Sequence, residues 1–150
     1  MADPQPVDPV ARACELFTKG VSCAPAVLAA VAPRFGLTED EAARLASCFA
    51  GGMLGSGRVC GAVTGAMMAL GLAHGPGAQL DPPRKEVAFA RVAELWRRFA
   101  EQHGSIECKD LLGVDLSVPG AREQAIASGV FKTVCPAAVK DATQLLVELL

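Results

Sequence analysis

The segment CGAVTGAMMALGLAHG, residues 60–75, decides the fold. It has no alternation of polar and apolar residues, and its run of Ala, Met and Leu up to Gly75 predicts an apolar helix opened by Cys60. The uncharged stretch around it, Val59 to Ala73, falls short of the roughly 20 residues needed to span a bilayer, and glycines interrupt it. It is therefore expected to be a buried helix and not a membrane span. Gly61, Ala62 and Gly65 leave one face of that helix nearly bare, so another helix or a bound group can approach its backbone closely. On that reading leucine at position 65 disturbs the site, whereas alanine is largely tolerated.

Working outward, helix signals recur and strand signals are almost absent: there is no Tyr, and no segment alternates for long. Upstream, GGMLGSGR (51–58) reads as a loop. Before it, Thr38 and Glu41 form a capping-box pattern at the head of TEDEAARLASCF. Asp8 with Pro9 opens a first helix running to about Thr18. A second begins near Ser22 or Cys23, carries Pro25 in its first turn and stops at Gly36. Downstream, a long amphipathic helix is expected from about Pro83 to His103, then a short turn at CKDLLG, a candidate helix at AREQAIA and a last helix from about Cys135 to Leu149. The expected architecture is all-α, a single-domain bundle of about five to seven helices over residues 1–150, with a flexible N-terminus at residues 1–7.

Composition narrows the functional classes. The chain has 150 residues, 51% of them apolar, and a net charge of −2 with scattered Lys and Arg. That is ample for one core and offers no basic stripe for a phosphate backbone, so nucleic acid is excluded as a partner, as is a membrane. MADPQPVDPV lacks the charged and apolar regions of a secretory signal, which points to the cytoplasm. Six cysteines in a reducing compartment read as redox-active, catalytic or metal-binding, or else as small buried hydrophobes.

Four of the six fall at expected helix starts: Cys23 before Pro25, Cys60 after the glycine loop, Cys108 before KDLL, and Cys135 before Pro136. Unpaired amides and aligned peptide dipoles at a helix N-terminus favour the thiolate, which is the nucleophile and the metal ligand. Arg58 adds a cation near Cys60 if its side chain turns inward. Cys14 and Cys48 lie within helical patterns among apolar neighbours and are expected to be core filler. No Cys-x-x-Cys pair is present, so any site must be assembled by the fold.

Other motifs carry less. The glycine loop lacks a Gly-Lys-Ser/Thr ending and follows a helix, which argues against a nucleotide cradle. His74 and His103 sit beside glycines at expected helix ends and read as caps, and Trp96 and the phenylalanines read as core. Nothing suggests a hydrolase.

The stretches GVSCAPAVL, FAGGMLGSGRVCGAVTGAMMALGL, IECKDLLG and TVCPAAV supply Cys23, Cys60, Cys108 and Cys135 in order. Together they resemble the C_GCAxxG_C_C family of redox-active proteins over about Leu16 to Leu146. The resemblance implies a small helical protein that does redox chemistry with these four cysteines, and it names no substrate. Three functions follow from the residues. The first is a thiol redox protein, a thiol oxidoreductase if it is an enzyme, in which two cysteines cycle between dithiol and disulfide with Cys60 as attacker and an unnamed redox partner. The second is a protein whose Cys23, Cys60, Cys108 and Cys135 ligate an iron–sulfur cluster or zinc, with Gly61, Ala62, Gly65 and Arg58 around the bound group. The third is an accessory protein with inert cysteines. The oligomeric state stays open.

Overall fold

The computed structural model describes residues 7–150. The flexible segment expected at residues 1–7 lies outside this range apart from Val7, which is exposed. Asp8 opens α1 (Pro9–Thr18) by accepting the Val10 amide at 3.1 Å, with Pro9 where its missing N–H costs nothing. α2 (Cys23–Val31) tightens into a 3₁₀ turn, Ala32–Phe35, closed by Gly36 at φ +77°. The capping box of Thr38 and Glu41 is complete at the head of α3 (Glu39–Ala46), which passes into a second 3₁₀ turn, Ser47–Phe49.

After the glycine loop come α4 (Gly61–His74), α5 (Pro82–His103), α6 (Cys108–Leu112), α7 (Ala121–Ser128) and α8 (Val130–Leu149). The fold is all-α. CKDLL and AREQAIAS both close as helices, which brings the described residues to eight, one above the expected range. No helix among the described residues is long and apolar enough to cross a membrane.

α2 and α4 form the centre, with α8 against both and α1, α3 and α5 outside them. Small residues let the central pair approach: a Cβ on Gly65 would lie 2.6 Å from the Ala24 carbonyl oxygen and 3.2 Å from Val27 Cβ. Leu28, Val63, Leu70, Leu95, Phe99, Val139, Leu145 and Leu146 fill the main core. A second, smaller cluster gathers Cys108, Leu112, Leu116 and Ala125, with Phe131 and Cys135 packed on it. It joins α6 and α7 to the first turns of α8.

Three expectations are corrected. Cys135 does not start a helix: Gly129, at φ +75°, ends α7 and begins α8, which puts Cys135 and Pro136 inside α8. Pro136 cannot donate to the Lys132 carbonyl, and both residues are exposed, so water can serve that oxygen. Cys48 is not core filler, because the 3₁₀ turn after Ala46 rotates it into solvent, while Cys14 is half-buried. Among the aromatics, Phe99 is core but Phe89 and Trp96 are 67% and 38% exposed, on the outer side of α5.

Candidate functional site: a four-thiol cleft

An isolated antiparallel bridge between Val59 and Glu107 sets the geometry. The Cys60 amide donates to the Ile106 carbonyl at 2.7 Å and the Cys108 amide to the Arg58 carbonyl at 2.6 Å. α4 and α6 therefore start side by side, with Cys60 capping α4 and Cys108 the first residue of α6. Cys23, the first residue of α2, reaches the same place because α2 lies against the bare face of α4. A Cβ on Gly61 would lie 2.4 Å from Cys23 Sγ, so only glycine leaves room for that sulfur.

Cys23, Cys60, Cys108 and Cys135 all line one cleft of about 310 Å³, walled by Phe17, Val21, Ile126, Phe131 and Ala138. Cys60 and Cys108 are 7% and 8% exposed, Cys23 and Cys135 are half-buried, and all four are free thiols. The cleft runs along the seam between the two hydrophobic clusters: Cys60 belongs to the larger, Cys108 to the smaller. Cys14 and Cys48 do not line it.

The helix start does not make Cys60 acidic. The Ala62 and Val63 amides favour its thiolate, though no capping hydrogen bond forms. Desolvation outweighs them, and charge on Cys23 adds to it, so the Cys60 thiol is pushed up to about 12. Burial likewise pushes Cys108 up to about 12 and Cys135 up to about 11, and in each case charge on Cys23 is the next cause. Cys60, Cys108 and Cys135 thus all lie near enough to Cys23 to be disfavoured as thiolates by a negative charge there.

Arg58 takes a different part from the one expected. Its side chain is exposed and does not line the cleft, because its backbone is held in the bridge to Cys108. The cation at the cleft is Arg122 of α7, which no local motif marks. Gly52 was also missed. At φ +68°, a Cβ there would lie 2.6 Å from the Arg58 backbone and 2.7 Å from Cys108 Cβ, so the loop seats Cys108 through this glycine. Gly51 through Gly55, including Met53 and Leu54, all have positive φ, a run that L-residues resist. The amides of residues 53–58 all bond backbone carbonyls, which leaves none of them to cradle a phosphate.

Among the described residues, no three His, Cys, Asp or Glu side chains stand close enough to share one metal ion. As arranged, the four thiols are not a ready-made zinc site.

Fold and site define an all-helical protein with four cysteines on one cleft. The sequence profile described as "Putative redox-active protein (C_GCAxxG_C_C)" matches residues 21–149, and the chain belongs to that family. It is 33% identical over 107 residues to an "Uncharacterized protein" of Archaeoglobus fulgidus, covering 67% of this chain and 71% of that one. No solved structure matches the chain.

Proposed function

We propose that the chain is a thiol–disulfide redox protein in which Cys23 attacks and Cys60 resolves. The observation that carries this is the placement of Cys23: half-buried on the cleft, first in its helix, against Gly61 and so beside Cys60. Cys60, the attacker expected from sequence, is nearly enclosed and its thiolate is disfavoured by burial. A resolving thiol needs less: it is presented with a mixed disulfide at close quarters, and its effective concentration replaces acidity.

Four thiols are two more than one disulfide requires, and this favours a second reading, a cysteine-ligated iron–sulfur cluster. The donor set has the right chemistry; its spacing does not suit one shared ion, but cluster thiolates each bind a separate iron and stand further apart than the ligands of a single ion. Anaerobic purification with iron, zinc and sulfide analysis separates the readings. The redox reading expects metal-free protein in which Cys60→Ser traps a mixed disulfide at Cys23 and Cys23→Ser forms none. Stoichiometric iron and sulfide bound through all four cysteines would replace it by the cluster.

A further inference from the structure

We propose that Arg122 makes the cleft selective for a small disulfide bearing a carboxylate; this rests on the thiol–disulfide reading of the same cleft. Among the described residues Arg122 is the one charged side chain lining the cleft, whose other walls are apolar, cysteine, serine or glycine. Arg12, Arg44, Arg97 and Arg98 each meet a carboxylate. Among the described residues Arg122, exposed on α7, meets none; Arg34, Arg58, Arg84 and Arg91 are likewise without a carboxylate, and of these five only Arg122 lines the cleft. A Cβ on Gly55 would lie 3.9 Å from Arg122 Nη1, so the guanidinium reaches from α7 toward the glycine loop at the edge of the cleft. Its planar donors match a carboxylate in a paired geometry.

The size of the space narrows the ligand further. About 310 Å³ is at the small end of ligand sites, which run from about 300 to 1,000 Å³. It admits one arm of a disulfide, a unit the size of an amino acid or short peptide, with the other arm at the open mouth. Phe17, Ile126 and Phe131 would pack its carbon skeleton.

The chemistry balances without another reagent. The Cys23 thiolate attacks one sulfur of R–S–S–R, that S–S bond breaks, and RS⁻ leaves with the proton given up by Cys23. Cys60 then attacks Cys23 Sγ in the mixed disulfide, forming the protein disulfide and releasing a second RSH. Two electrons and two protons pass from the protein to the substrate, which is the oxidant.

The test compares two probes on the fully reduced, full-length protein: oxidised glutathione, which is anionic, and bis(2-hydroxyethyl) disulfide, which is neutral. The ratio of their second-order oxidation rates is read in wild type, Arg122→Gln and Arg122→Lys. The ratio is expected to fall about 10-fold in R122Q, the worth of one charge-assisted contact. It should recover in R122K and shrink with added salt in wild type. A ratio unchanged within twofold in R122Q overturns the selectivity while leaving the thiol reading intact. Wild-type protein oxidised by neither probe overturns both.

Discussion

Cys23 Sγ occupies the space that any side chain at Gly61 would fill, 2.4 Å from where its Cβ would stand. The first glycine of the motif is thus a feature of the thiol site as well as of helix packing. Gly61→Ala must displace Cys23 or push α2 from α4. Stability is expected to drop by about 1 to 3 kcal/mol, as for other overpacked interiors. Alkylation of Cys23 should change in rate at the same time, which denaturant titration and mass-spectrometric labelling together will show.

Gly65 behaves more strictly than its sequence suggests. Alanine there looks mild, since it raises helix propensity by up to about 1 kcal/mol. The obstacle is backbone: the new Cβ would meet the Ala24 carbonyl oxygen at 2.6 Å. Gly65→Ala and Gly65→Leu are therefore both expected to lower the melting temperature, leucine more. Wild-type stability in Gly65→Ala would show that α2 and α4 can separate freely.

The glycine loop offers changes of opposite sign. Gly52→Ala combines a φ of +68° with collisions against Arg58 and Cys108, so it should destabilise the fold and loosen Cys108. Leu54 is 87% exposed at φ +54°, and Leu54→Gly removes left-handed strain with little packing to lose. A gain of about 0.5 to 1 kcal/mol in equilibrium unfolding is expected, the strain relief being partly offset by greater chain entropy.

What the sequence shows well is local. The capping box at Thr38 and Glu41 and the position of Cys60 at the head of α4 depend on neighbours a few residues away, and both could be read directly. Arg122 is far in sequence from Cys23 and Cys60, and only the packing of α7 brings it to the cleft. Cys135 was misread because Pro136 suits a first turn as well as an interior position whose lost hydrogen bond faces water. For Cys60 the helix start is a local cause and desolvation a tertiary one, and the tertiary cause wins.

Alkaline stability follows from those thiols. Cys60, Cys108 and Cys135 rise from an ordinary 9.0 to about 12, 12 and 11. Their neutral forms are thus favoured in the folded state, and their contribution to stability is fully present below pH 9. Above it the unfolded chain loses protons that the folded chain keeps, and stability falls through the window from 9 toward 12. Unfolding free energies at stepped pH should show this decline in the reduced wild type, and Cys60→Ala should make it shallower. An identical slope in both would remove Cys60 from the buried set.

The most direct measurement is to oxidise the reduced, metal-free protein with one equivalent of a small disulfide and map the product by peptide mass spectrometry. The account predicts one intramolecular disulfide, joining Cys23 to Cys60, with Cys14, Cys48, Cys108 and Cys135 still alkylatable after unfolding. A disulfide that leaves out Cys23, or four cleft thiols that remain reduced while the exposed Cys48 is oxidised, would contradict it.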